Sequence, residues 1–411
     1  MNVMIKKLLQ GQAVEWRTLG EVVLPTNNIK WHESDLSYRY IDLSSVDKDN
    51  NNIGETLEIT SKNAPSRAQK IIKKDDVIFA TTRPTQMRSA LIPPNLDGQI
   101  ASTGYCILRA NQNEVLPKWI YYNLQINEFK IYLQDKQSGT AYPAISDGLI
   151  KQFQIPIPPL SVQSQIVQIL DTFTELTAEL TAELSMRQKQ YQYYRDFLLS
   201  EHELAKVGFE WKTLGEVGEL IRGNGLTKKD LTDDGVPAIH YGQIYTRYGL
   251  STEKTLSFVS TELAKRLRKV DTGDVVITNT SENLADVGKS LVYLGKEQAV
   301  TGGHATIFKP NKQIILGKYF AYFTQTDNFA TQKRKYAKGT KVIDVSTNDM
   351  AKLKIPIPPL SVQSQIVAIL DTFDTLVSSI SEGLPKEIQL RQKQYEYYRE
   401  LLLDFDAGDG V

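Results

Sequence analysis

Apolar positions along the chain follow two rhythms, and each rhythm occurs twice. The first is short. Residues 76–82 (DVIFATT) and 274–280 (DVVITNT) are apolar, β-branched runs of the kind that form buried strands. Residues 90–110 and 290–310 each predict two strands around a polar turn. Residues 117–124 (PKWIYYNL) and 317–324 (GKYFAYFT) each predict a short helix with an aromatic face. The second rhythm is long. Ile166, Ile169, Phe173, Leu176 and Leu180 recur at spacings of three and four, the seam of a coiled coil. This pattern predicts a helix from about 163 to 202, roughly 60 Å at ~1.5 Å per residue, with Ser161 or Ser164 at its N-cap. Ile366, Ile369, Phe373, Leu376 and Ile380 repeat the seam until Gly383-Leu384-Pro385 interrupts it. Glycine stops a helix, and proline starts one in its first turn.

The recurrence extends to identical residues. Residues 155–173, IPIPPLSVQSQIVQILDTF, return at 355–373 with one change, Gln168 to Ala368. EWRTLGEV at 15–22 returns as EWKTLGEV at 210–217, and RQKQYQYYR at 187–195 returns as RQKQYEYYR at 391–399. The chain is therefore two copies of one unit. Between these motifs the copies drift in register, keeping a glycine turn (Ser138-Gly139-Thr140 against Lys338-Gly339-Thr340) and differing in loops. The prolines of IPIPPL predict a stiff extended lead-in that is neither a ladder strand nor a helix. Five segments follow: a first module at 1–154, a lead-in and long helix at 155–204, a second module at 205–354, a second lead-in and helical region at 355–405, and a tail at 406–411. The expected fold class is α/β (α+β), two pseudo-twofold-related modules separated by two long antiparallel coiled-coil helices. A long helix with one apolar stripe needs a mate, and its near-copy is the obvious one. Antiparallel pairing spares the chain from doubling back, and would carry the modules to opposite ends of the rod.

Composition adds constraints. Length allows two to four domains, and 41% hydrophobic with 23% charged residues is ordinary for globular protein. A single cysteine, Cys106, rules out a disulfide framework and suits a reducing compartment. No apolar stretch is long enough for a signal sequence or a membrane span, so a cytoplasmic protein with no membrane partner is expected. Net charge is zero, but unevenly spread. Residues 15–151 balance 16 basic against 16 acidic residues, while 210–354 carry 22 basic against 16 acidic. Binding follows the local field and not the sum, although scattered solvated lysines would produce the same surplus.

Two modules opened by EWxTLGEV, each followed by IPIPPLSxQ and a helix ending RQKQYxYYR, resemble the specificity subunit of type I restriction–modification enzymes. The resemblance covers about 15–403. It implies that the modules are target recognition domains, each reading one half of a split, asymmetric site in double-stranded DNA. It implies that the helices set the separation of the half-sites and dock two modification (methyltransferase) subunits. Motor–nuclease restriction subunits complete such a complex. The chain itself is expected to be non-catalytic and to carry no cofactor, with S-adenosylmethionine, ATP and Mg belonging to the partner subunits. The residues agree. No N/D-P-P-Y/F tetrapeptide is present, and Ile92-Pro93-Pro94-Asn95 lacks both acid and aromatic. Residues 286–290 (DVGKS) fail as a phosphate loop because Asn283 stands where a glycine is required. Glu128-Phe129-Lys130 lacks an upstream acid for a metal nuclease, and the four histidines show no zinc spacing. A coiled-coil protein–protein adaptor without DNA specificity is the alternative.

Reading bases requires donors and acceptors on loops that enter a groove. After the first buried strand the loop RPTQMR offers Arg83, Gln86 and Arg88; the equivalent loop SENLADVGK, with the two residues before it, offers Asn279, Asn283 and Lys289. Both are equally readable as plain polar strand-end loops. Lys333, Arg334, Lys335, Lys338 and Lys341 around the second glycine turn suit phosphate contact, with Thr140 and Tyr142 as hydroxyl counterparts in the first. Tyr191, Tyr193, Tyr194 and Arg195, with Tyr395, Tyr397, Tyr398 and Arg399, either face a partner or pack within the coiled coil. Residues 177–184 are TAEL in tandem, a candidate ruler of ~6 Å per copy.

Overall fold

The structure is a computed structural model, describing residues 3–48, 50–379 and 381–405. The chain divides into two compact units: residues 1–178 with 390–411, and residues 179–389. The division cuts both conserved helical regions, so each unit owns one module and a piece of each helical region.

Each module is built of two principal sheets. In the first unit, one sheet runs Val23–Leu24, Tyr105–Ala110, Val77–Ala80, Ser89–Leu91, and the other Leu57–Ile59, Tyr38–Ile41, Ile100–Ser102, Ala68–Ile71. The second unit repeats both orders. Gly218–Arg222, Ala305–Pro310, Val275–Thr278 and Ser290–Tyr293 gain Ser251–Thr252 at the edge, and Ser257–Val259, Val236–Ile239, Ala299–Thr301 and Arg268–Val270 form the other sheet. In the second-named sheet of each module a parallel pairing joins two antiparallel pairs, Tyr40 lying opposite Ile100 and Ala238 opposite Val300. The central strands Val77–Ala80 and Val275–Thr278 are buried at every position, as a run of β-branched and apolar residues requires. The stretches 90–110 and 290–310 hold three strands each where the pattern predicts two. Ile100–Ser102 and Ala299–Thr301 are too short for alternation to register. The helices Pro117–Asn123 and Gly317–Phe323 form as expected and bury their rings, Trp119 and Tyr122 in one, Tyr319, Phe320, Tyr322 and Phe323 in the other.

The proline-rich lead-in corrects an expectation. Gln154–Ile157 is a strand, paired antiparallel with Glu15–Thr18, with Trp16 opposite Pro156; Lys354–Ile357 pairs likewise with Glu210–Thr213. A two-stranded ladder has only edges, and at an edge a proline can turn its missing donor outward. The carbonyls of these prolines are used from the other side. Trp119 Nε1 donates to the Pro156 carbonyl at 2.8 Å, and the Tyr319 hydroxyl donates to that of Pro356 at 3.0 Å. Two of the duplicated motifs are thus each other's partners, which explains why they repeat together.

The long helix runs Leu160–Leu198, starting three residues before expectation and ending four before it; Ser200 then caps a short helix, Glu201–Ala205. Ser161 is not the cap. In the second copy Pro359, in extended conformation, precedes Leu360, and the Pro159 and Pro359 carbonyls each accept the amides of the third and fourth residues on. The seam also starts later than its spacing suggests. Val162, Ile166, Val167 and Leu170 are buried in the module's core, while Ile369 is 44% exposed. Ring packing between the helical pieces begins at Phe173, stacked on Tyr398, and at Phe373, stacked on Tyr194, both at 5.3 Å. In the first unit Phe405 lies 5.9 Å from Trp119, the ring bonded to Pro156, so 398–405 runs against the direction of 156–173. In the second helical region Leu360–Ser378 stops, and Gly383–Leu403 restarts with Pro385 in its first turn; the break falls at 379–382, just before the expected glycine. Ile380 lies outside the described residues, as does the 406–411 tail.

Candidate nucleic-acid interface

Each module is clamped to its helix by the same side chains. Gln163 is fully buried: its Oε1 accepts the Leu116 amide at 2.9 Å, and its Nε2 donates to the Glu114 and Pro158 carbonyls. Gln363 repeats all three bonds with Leu316, Ile314 and Pro358. Two helical turns along, Asp171 accepts from Lys118 Nζ and the Tyr122 hydroxyl, both at 2.6 Å. Asp371 does the same with Lys318 and Tyr322. Burial, with the neighbouring carboxylate, pushes both tyrosine hydroxyls far up from their ordinary range. Every group of the clamp is satisfied, so it holds rigidly.

On that fixed frame the two candidate loops meet. In the first unit the loop after Val77–Ala80 lies against the glycine turn: the Arg83 amide donates to the Pro143 carbonyl at 2.7 Å, and the Ile145 amide to that of Thr81 at 2.9 Å. The turn closes through paired bonds between Ser138 and Ala144. In the second unit the contact has become a short ladder, Thr280–Ser281 with Ile343–Asp344, and Lys338 pairs with Asp344. Gly139 and Gly339 take φ of +88° and +99°, and a Cβ at Gly339 would strike the Val342 carbonyl, so the turn needs glycine.

The loops themselves differ. Arg83 and Met87 both hold left-handed conformations, at φ +51° and +56°. This ejects Arg83 and Gln86 to solvent while Met87 packs on the core. The Arg83 guanidinium lies 5.7 Å from the ring of Tyr142, which is 74% exposed, and Thr140 is exposed beside it. Arg88 points the other way, half-buried, with Nη1 donating to the Leu43 carbonyl at 2.7 Å.

In the second unit, Asn283, Lys289, Arg334, Lys335, Lys338 and Lys341 are exposed. Asn283 bonds through both ends of its amide to Asp286, and Lys289 pairs with Asp286 at 3.2 Å. Lys338 lies 3.5 Å from Asp349. Asn279 and Lys333 are buried. Asn279 Nδ2 donates to the Val345 carbonyl, and Thr306 Oγ1 donates to its Oδ1, leaving no edge for a base. Lys333, expected on a phosphate, instead donates inward to the carbonyls of Ala285 and Val287, and burial lowers its pKa to about 8. Sequence reasoning passed over a ring cluster beside the ladder. Tyr241 sits between His240 and His304, at 4.7 and 4.8 Å, and His304 Nδ1 is 2.9 Å from Thr280 Oγ1. His304 is exposed, and burial together with His304 pushes the His240 pKa down. No spacing in the sequence links these residues; only the fold assembles them.

The aromatic helix ends sort cleanly. Tyr191 and Tyr395 point inward, their hydroxyls donating to Gln325 and Gln125, with Arg195 and Arg399 over their rings. Tyr194 and Tyr398 take the stacking contacts already described. Tyr193 and Tyr397 are each 63% exposed. Among the described residues there is no cluster of three or more His, Cys, Asp or Glu able to hold a metal, and no helix is long and apolar enough to cross a membrane.

Comparison with known proteins agrees with this geometry. The chain is 33% identical over 426 residues to the type I restriction enzyme EcoR124I/EcoR124II specificity subunit of Escherichia coli, covering 99% of this chain and 98% of that one. A chain from a structure on complex assembly and conformational transition of the type I R-M system matches with TM-score 0.63 at 26% identity, over 96% of this chain and 98% of its own length. The crystal structure of the HsdS subunit from Thermoanaerobacter tengcongensis matches with TM-score 0.53 at 26% identity, over 95% and 97%. A family model described as the type I restriction modification DNA specificity domain matches twice, at residues 14–186 and 206–390. The chain belongs to the type I restriction–modification DNA specificity family.

Proposed function

We propose that this chain is the DNA sequence-specificity subunit of a type I restriction–modification complex, each module reading one half of a bipartite, asymmetric site. One observation supports the reading: the two modules share their central strand order, the Gln, Asp, Lys and Tyr side chains of the clamp and the glycine of the turn, yet present unlike loops at the same place. Arg83, Gln86 and Tyr142 face solvent in one, and Asn283, Lys289 and the lysines around Gly339 in the other. A symmetric frame with asymmetric readers is what an asymmetric split site demands. The guanidinium and amide groups suit base edges, and Arg334, Lys335 and Lys341 suit phosphates.

The chain does no chemistry in this reading. Two modification subunits, docked on the helices where Tyr193 and Tyr397 project, supply S-adenosylmethionine-dependent adenine methylation. Motor–nuclease subunits supply ATP- and Mg-dependent translocation and cleavage, all in the cytoplasm. The test is to express the chain with its modification partner and sequence methylated adenines in the host genome. A single split motif, lost when either module is replaced, is the expected result; modification without sequence preference would overturn it. Affinity for duplex DNA should fall steeply with salt, with a log–log slope of about −0.9 per phosphate neutralised.

A further inference from the structure

The loop 282–289 of the second module meets the packed core at Val287 and Gly288. Its inner face borders a cavity of about 610 Å³, lined by Leu284, Ala285, Gly288 and Lys289 on the loop side and by Arg195 and Asp374 opposite. Lys333 forms part of that lining. It rises from the helix Asp327–Tyr336, is 6% exposed, and ends on the Ala285 and Val287 carbonyls. The loop's other bonds are local to it or to the central strand: Thr278 Oγ1 donates to the Asp286 carbonyl, and the Gly288 amide to that of Thr278.

The first module solves the same problem differently. There the Ala80 amide donates to the Arg88 carbonyl, as the Thr278 amide does to that of Lys289, so Met87 and Gly288 occupy equivalent places. Both are left-handed, at φ +56° and +77°. Met87, partly buried, packs against the core that holds Phe129 and Leu133. Leu133 is the counterpart of Lys333, six residues into each matching helix. Where the first loop packs a methionine against a core that includes this leucine, the second keeps glycine, with the lysine stem close beneath it. A Cβ on Gly288 would lie 3.2 Å from Lys333 Cδ.

We propose that Lys333 is a positioning residue for recognition of the second half-site: its buried ammonium fixes the backbone of the loop 282–289, where the first module instead packs Met87 against its core. The proposal rests on the reading of that loop as a base reader. Fixing a loop by an ammonium on two carbonyls sets its backbone without a groove-facing side chain, so Lys333 influences which base is read while touching none.

The test uses the full chain with its modification partner in four forms: wild type, K333L, K333L/G288M, and N283A/K289A, with K333M retained as a variant that keeps the stem should K333L fail to fold. Three quantities are read: amide exchange at 286–289 without DNA, the genomic methylation motif, and the salt slope on random-sequence duplex. K333L should speed exchange about tenfold. It should also relax the second half of the motif by about tenfold while sparing the first half and the salt slope. K333L/G288M, which installs the first module's anchor, should restore both. A salt slope shallower by roughly 0.9 with exchange unchanged would make Lys333 a phosphate contact and overturn the proposal. Faster exchange with the motif intact, while N283A/K289A relaxes it, would show that loop position does not matter. If neither variant alters the motif, the loop is no reader, and both readings fall.

Discussion

A buried polar side chain is tolerated only when every donor and acceptor is spent, and the pair Gln163 and Gln363 meets that condition twice over. Gln363→Ala would leave the Leu316 amide and two carbonyls unpaired, at a cost of about 1–3 kcal/mol by denaturant midpoint. Ala at exposed Gln365, two residues on, should stay within roughly 0.5 kcal/mol. An equal loss at both sites would mean that the clamp is incidental. Lys333 makes a pH prediction with a definite sign. Burial lowers its pKa from 10.5 to about 8, against the attraction of Asp286 and with help from Lys289. Between those values the unfolded chain keeps a proton that the folded one has released. Wild-type stability relative to K333L should therefore be level below pH ~8 and rise towards pH ~10, on the order of 3 kcal/mol in full. Denaturation of both proteins at pH 7, 8, 9 and 10 reads the difference directly. A flat difference would place the ammonium in water.

At the scale of elements, the glycine turn is the most exacting. Ala at Gly339 must hold a left-handed backbone and press on the Val342 carbonyl, so Gly339→Ala should cost of order 1–3 kcal/mol. Ala at Gly98, also left-handed but with open space around it, should cost less. Hydrogen exchange at Lys338 and Asp344, whose amides close the turn, would report the loss locally. The strands, short helices and long helix were legible in the sequence because burial imposes a period and duplication marks the frame. What escaped was whatever depends on a partner distant in sequence. The IPI of each lead-in forms a strand because EWxT lies beside it. Asn279 reads from sequence as a base contact and Lys333 as a phosphate contact because a polar side chain carries no mark of the carbonyls waiting for it inside. Tyr241 and the two histidines around it share no spacing at all. Of the candidate residues, Arg83, Gln86, Tyr142, Asn283 and Lys289 are exposed, whereas Asn279 and Lys333 are buried and Arg88 is half-buried on the Leu43 carbonyl.

For the whole molecule, the informative segment is the tandem TAEL. The helix Leu160–Leu198 passes through 174–184 without a break, the Thr177 hydroxyl donating back to the Phe173 carbonyl as helical geometry allows. A third TAEL would therefore lengthen one continuous helix by ~6 Å and rotate everything beyond it by roughly 40°, since four residues slightly exceed one turn. Successive base pairs advance ~3.4 Å and turn by about 35°. One added repeat thus costs one or two base pairs of spacing, with a rotation of similar size. The clamps at Gln163 and Gln363 lie outside the inserted stretch, so neither reader is disturbed. Methylated-adenine sequencing of a host carrying the lengthened chain should return the same two half-sites with the gap widened by one or two base pairs. Removing one TAEL should narrow it. If the gap holds constant while modification persists, the helix is a tether of tolerant length and the separation of half-sites is set elsewhere.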